Sequence, residues 1–416
     1  MSRSWKLLVG ACVCAVGGWA SAAMADSAGA IVPSPSELAL TPQYYDAATA
    51  AQPQSLLMEA LDKTGIGQGL QAARIDIYGH IEGSYTWNFD NPAKDINIGR
   101  VFDIKHNDAE VNQTDLNVER LVDLTSHQFD IGGRLELMYG TDARFIHSNG
   151  LFSYQGFFNG PEYQFDIPQM YLDIGLPVGD GLRIRLGKFL FFKQIDPNAS
   201  VFYSHSFTFG AALPFTLTGI TGLYNINDQL SIEAGISRGW GQSLDDNNGA
   251  IDGLGRIRYS PSDKTSFTLA VISGPEDNND NSHYRQAVDL TLTQAIGDNL
   301  TFLLDSVYGN DAAGSADGKN ANWYGVSGYL VLKLDDHLSL GARGEWYRDE
   351  EAFTTGISQN LYEATVGVTV TPFPGNTPAV FKIRPEIRYD YSSRDYFNGL
   401  TKDSQVTAAV DAIFNF

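Results

Sequence analysis

The sequence predicts an all-β fold: a transmembrane antiparallel up-and-down β-barrel of about sixteen strands, with long extracellular loops and short periplasmic turns. Three observations predict it. Polar and apolar side chains alternate with period two from Ile75 to the C-terminus. Long connections alternate with short ones along the chain. After the N-terminus, no window holds the ~18 consecutive apolar residues that a spanning helix needs.

The first elements precede the barrel. Arg3 and Lys6, an apolar stretch from Leu7 to Trp19, and the small-residue sites Ala20-Ser21-Ala22 and Ala23-Met24-Ala25 make the three parts of a secretory signal peptide over residues 1–25. Both cysteines, Cys12 and Cys14, lie inside it. The exported chain therefore has no thiol, which excludes disulfide scaffolds, thiol catalysis and cysteine-bound metals. Residues 26–74 read as a periplasmic leader, Ala-rich and punctuated by Pro35 and Pro53. Within it, residues 55–63 can form a short amphipathic helix ended by Gly65 and Gly67.

Residues 75–416 read as the barrel. In the first segment Ile75, Ile77, Ile81, Tyr85 and Trp87 interleave with Asp76, His80, Glu82, Ser84 and Thr86. A helix cannot separate these sets, whereas a strand puts one on each face. The segments run 75–89, 109–121, 129–142, 166–176, 182–190, 215–226, 229–240, 251–259, 265–274, 285–297, 299–309, 322–334, 338–348, 360–371, 379–391 and 405–416. Their lengths suit tilted strands crossing a bilayer. Odd-numbered gaps are long, as at 90–108, 143–165 and 191–214, whereas even-numbered gaps are mostly turns such as Asn227-Asp228 and Gly297-Asp298. A soluble sandwich or propeller has no reason to segregate its loops this way. Closure of the sheet satisfies every backbone group where lipid offers no partner.

Charge narrows the function. With 49 acidic and 28 basic residues the chain carries −21, which disfavours nucleic-acid binding. The seven histidines are scattered, and no HExxH, GxSxG or P-loop pattern occurs, so an enzyme is not expected. With the apolar set toward lipid, the polar set lines the lumen. Its acids are Asp76, Glu82, Asp115, Glu119, Asp130, Glu136 and Asp173; its basic residues are Arg183, Arg185, Arg256, Arg258, Arg343, Lys382, Arg384 and Arg388. Opposed walls of this kind either orient charged solutes or pair into salt bridges that stiffen the barrel.

The connection 191–214 holds Phe191, Phe192, Phe202, Tyr203, His205, Phe207 and Phe209. So many rings would not be left in water, so the loop is expected to fold into the lumen as a constriction, with Asp196, Phe202, Tyr203, His205 and Phe207 at its heart. Its rings offer either a sugar-stacking surface or a packed plug. Trp87, Trp240, Trp323 and Trp346 fall at the long-loop ends of their segments, where an interfacial girdle against outer-membrane lipid belongs. The acidic loops Asp245-Asp246-Asn247-Asn248-Gly249 and Glu276-Asp277-Asn278-Asn279-Asp280 read either as solvated surface loops or as Ca²⁺ ligands, without EF-hand spacing. No other metal or cofactor is expected. A final alternating strand closing on Phe416 looks like the signal through which assembly machinery recognises outer-membrane barrels.

Several stretches resemble the bacterial outer-membrane β-barrel porins of the OmpL-like group: Ile77-Tyr78-Gly79-His80-Ile81-Glu82-Gly83-Ser84-Tyr85-Thr86-Trp87-Asn88, Gly99-Arg100-Val101-Phe102-Asp103, Leu186-Gly187-Lys188-Phe189, and the region from Tyr203 to Gly219. The resemblance spans nearly all of the exported chain. It implies a cofactor-free pore in the cell outer membrane, passing small hydrophilic solutes or ions, and leaves association into homo-oligomers open. The alternative is a non-conducting barrel acting as an adhesin or an envelope-structural protein.

Overall fold

The alternation becomes two solvents. The computed structural model describes residues 55–92, 95–153, 160–191, 195–374 and 380–416. The expected signal peptide with Cys12 and Cys14, leader residues 26–54, and Phe192 lie outside the described residues. In β1 (Asp76–Asn88), Ile81 is 41% exposed and Glu82 is 3% exposed. Side chains that would dissolve in lipid point out, and the charged set points in.

The sheet continues through β2 (Asp108–Arg120), β3 (Asp130–Gly140), β4 (Gln164–Asp166), β5 (Met170–Leu176), β6 (Leu182–Leu190), β7 (Thr216–Asn227), β8 (Leu230–Ser237) and β9 (Asp252–Ser262). It goes on through β10 (Thr265–Pro275), β11 (Tyr284–Ile296), β12 (Leu300–Asp311), β13 (Ala321–Lys333), β14 (Leu338–Asp349), β15 (Gln359–Val370), β16 (Phe381–Ser392) and β17 (Ser404–Asn415). Each strand pairs antiparallel with its neighbours, and β1 pairs with β17, from His80↔Asn415 to Asn88↔Thr407, closing the barrel. Both β4 and β5 pair with β3, so they share one place and the barrel has sixteen. The segment expected at 166–176 is split because Pro168 has no N–H to give the ladder.

Local chemistry sets the details. A β-bulge beside Glu82 and Gly83 turns both Asn112 and Gln113 into the interior. At the tight turn after β7, the Asn227 side chain accepts from the N–H groups of Gln229 and Leu230. Outside, rings gather near the loop ends: Tyr308 lies 5.4 Å from Tyr324, Trp87 lies 4.6 Å from Phe89, and the Trp346 indole donates to Asn360.

Among the described residues, two short helices precede β1. Helix α1 (Leu56–Asp62) starts at Ser55, whose hydroxyl accepts from Met58 N–H and donates to the Ile77 carbonyl. Helix α2 (Ile66–Ala72) contains Gly67 rather than ending before it, and begins after Gly65, whose φ of +81° suits glycine. The Arg120 guanidinium donates to the Ala73 carbonyl at 3.0 Å, holding the pair to the periplasmic rim.

Candidate functional site: the loop-filled lumen

Strands β6 and β7 occupy the fifth and sixth places of the barrel, and β14, β15 and β16 the thirteenth to fifteenth. The connection from β6 to β7 nonetheless makes its main polar contacts on β14–β16, halfway round. It does so through its backbone. Arg384 donates to the carbonyls of Pro197 and Ser200 at 2.8 and 2.7 Å, Arg343 to that of Ser204 at 2.7 Å, and Arg388 to that of His205 at 2.5 Å. Glu386 accepts from the N–H groups of Tyr203 and Ser204. Glu345 accepts from the N–H groups of Phe207 and Thr208 at 2.7 and 2.6 Å, at the start of helix α3 (Phe207–Ala211). A helix start leaves N–H groups without partners, and a loop inside a barrel cannot leave them to bulk water. The wall charges fill that need.

The loop also reaches the adjoining β1–β2 wall, past the closing seam. The Tyr203 hydroxyl accepts from Ser84 and from Asn112, and Gln113 donates to the Ile195 carbonyl. Phe202 rests in the space left by Gly341 and Gly367, where a Cβ would approach its ring to 2.9 and 3.1 Å. Phe207 packs in an apolar cluster with Phe189, Phe191, Leu213, Leu254, Ile272, Val307 and Trp323. His205 lies between Phe102 and Phe209, and stacks on the latter at 4.1 Å. Burial, followed by Arg343, Arg384 and Arg388, pushes its imidazole well below the usual range, so it is neutral. Burial alone would raise Asp196, yet the His80 ring and the Asn198 N–H hold its carboxyl below the ordinary value.

The expected wall residues fall into three groups. Arg343, Arg384 and Arg388 hold the loop and are also paired, with Glu363, Asp411 and Asp390 respectively; Lys382 donates to Asn198. Arg185 pairs with Asp173, Arg183 and Arg256 share Glu233, and Glu136 pairs with Arg134. Glu82 lies 3.5 Å from Arg384, Glu119 accepts from Tyr78, and Asp115 is buried beside Asn117. Arg258 is half-buried on the same face of β9 as Arg256, and Asp76 is exposed at the rim.

Three expectations are corrected. Asp130 sits at the periplasmic rim rather than along the lumen, held by Arg74, Arg120 and the Asp123 N–H. Trp323 is not in the girdle: it is fully buried, lies over Gly309, and donates its indole N–H to the Ala212 carbonyl. Its place on β13 is odd-numbered, and the odd face there turns inward. Trp240 lies beyond the end of β8 at Ser237, so strand alternation no longer directs it. It meets Trp323 edge to face at 6.5 Å. Trp87 and Trp346 are exposed on the outer face.

Sequence reasoning missed a second inward segment, residues 95–107. Arg100 there is buried against Asp103 and Asp390, and Phe102 packs against Phe145 and Phe215. An arginine, an aspartate and a phenylalanine within four residues was the available signal. The acidic loops interlock through amides: Asn247 donates to the Glu276 carbonyl and Asn248 to that of Pro275. Those carbonyl oxygens already have donors. Burial, followed by Asp252, pushes the Glu276 carboxyl up to about 9.

A family model described as "Putative beta-barrel porin-2, OmpL-like" matches residues 74–416. The chain belongs to that family. It is an outer-membrane β-barrel of the porin type. Solved structures with the same fold include OprB of Pseudomonas putida, 14% identical, covering 89% of this chain and 100% of that one with a TM-score of 0.56. The outer-membrane channel DcaP of Acinetobacter baumannii is 12% identical over 82% of this chain and 97% of its own, with a TM-score of 0.53. An anion-selective porin from Comamonas acidovorans is 10% identical over 82% and 99%, also at 0.53. No curated protein matches the chain in sequence.

Proposed function

We propose that the chain is a passive diffusion channel for small hydrophilic solutes or ions, with the segment 191–214 narrowing its lumen. The observation that carries this is the backbone attachment of the loop to β14–β16, across the barrel from its own strands. Selection is then by size at the loop and by charge on the wall. Planar-bilayer recording on the purified full chain tests it: stable ohmic steps are expected, and silence refutes it.

One observation favours the second reading, a non-conducting barrel with an adhesive or structural role. Many lumen-facing polar side chains are nearly closed to solvent, among them Ser327 at 0%, Thr221 and Asp115 at 1% and Thr268 at 7% exposed. The same recording separates the two. In either case Phe416, bonded through its backbone to Gly79 at the β1–β17 seam, is the proposed handle for barrel assembly. Outer-membrane OmpT of Vibrio cholerae, 12% identical over 82% of this chain and 99% of that one with a TM-score of 0.50, is described in a trimer form. Association into homo-oligomers is proposed here on the same plan.

A further inference from the structure

We infer that the channel selects cations, an inference that rests on the channel reading and names the class of solute it passes. Among the described residues, twenty buried side chains are acidic and nine are Lys or Arg. The nine do not leave an anion path. Each lies within 4.0 Å of a carboxylate: Arg100, Arg144, Arg183, Arg185, Lys188, Arg256, Arg343, Arg384 and Arg388. Three of them are also covered by the loop carbonyls they hold.

Among the described residues, some of the acids have no such basic partner in return. Asp115 on β2 is 1% exposed, and among the described residues its Oδ2 has no hydrogen-bond partner and no basic side chain lies within ion-pair distance. The charged groups around it are Glu136, Asp196 and Arg134, two acids to one base. Asp252 at the upper end of β9 is also 1% exposed, and it pairs with another acid, Glu276, rather than with a base. Gly274 leaves the room it occupies, since a Cβ there would sit 1.7 Å from Asp252 Oδ1. The charged groups around it are Glu276, Asp246 and Arg285, again two acids to one base. Carboxylates away from bulk water need a counter-charge. In a conducting lumen, entering cations supply it and anions meet a repulsive field.

Reversal potentials across a KCl gradient test this on the purified full chain. Wild type should reverse on the potassium side, with potassium several-fold more permeant than chloride. The double variant Asp115→Asn with Asp252→Asn should bring that ratio close to one. Asp317→Asn, in an exposed loop, should leave it unchanged. Heat-modifiable electrophoretic mobility reports whether each variant is folded. Conducting steps with a chloride preference, or a folded double variant with the wild-type ratio, overturn cation selection and leave the channel standing. Absence of steps overturns both. Should the double variant not fold, the sign of the wild-type potential still decides.

Discussion

Strands β14–β16 and strands β1–β3 both turn charged side chains inward, and they use them differently. On β14–β16, arginines and glutamates alternate along the wall and bind the backbone of the β6–β7 loop, carbonyls to arginine and N–H groups to glutamate. On β1–β3 the inward groups are mostly acids and amides. They bond to one another or, as Ser84 and Gln113 do, to single atoms of the loop. The first wall anchors the loop's backbone, and the second meets the loop only at single atoms. The difference teaches that the charge of a pore-facing residue does not fix its role; what fixes it is whether buried backbone lies opposite.

Deleting residues 195–208 removes the anchored object and should have the largest effect, a several-fold rise in single-channel conductance. An unchanged value would place the loop elsewhere. Next comes the anchor. Glu345→Ala leaves the N–H groups of Phe207 and Thr208 without their acceptor, a loss of about 1 kcal/mol or more per bond. The loop should then be cut by added protease in otherwise folded barrels, whereas Glu119→Ala on the other wall should leave it resistant.

A third, smaller effect is pH-dependent. Glu276 holds its proton more tightly in the folded chain than an exposed glutamate does, up to about 9. That contribution to stability is present at acid pH and is lost as pH rises toward 9. Thermal stability should fall over that interval in wild type and much less in Glu276→Gln; equal slopes would count against the buried pair with Asp252. Smallest is Trp323→Phe, which removes one hydrogen bond to the loop at Ala212 and should cost about 1 kcal/mol by thermal unfolding. Trp346→Phe, facing lipid, should cost less.

The barrel was legible because period-two alternation is a property of single residues and their neighbours. Segment 182–190 coincides with β6, and the other segment ends shift by at most three residues except where Pro168 breaks one. Alternation also assigned Arg343, Arg384 and Arg388 to the inner face. It could not say what they touch, because the loop that meets Arg384 is separated from it by nearly the whole barrel in sequence. The same limit hid residues 95–107, whose Arg100 finds Asp390 only after β1 and β17 close. The indole of Trp323 looked interfacial by composition and is internal by parity.

A cysteine pair tests most directly whether the loop lies against the far wall, and the absence of cysteine after residue 25 makes the test clean. A Cβ at Gly325 on β13 would lie 2.6 Å from Thr208 Oγ1, close enough for a bridge between side chains at the two positions. Folded Thr208→Cys with Gly325→Cys should form an intramolecular disulfide under mild oxidation, read as a reducible mobility shift and a locked loop. A folded double variant whose two thiols stay separately reactive would contradict the account.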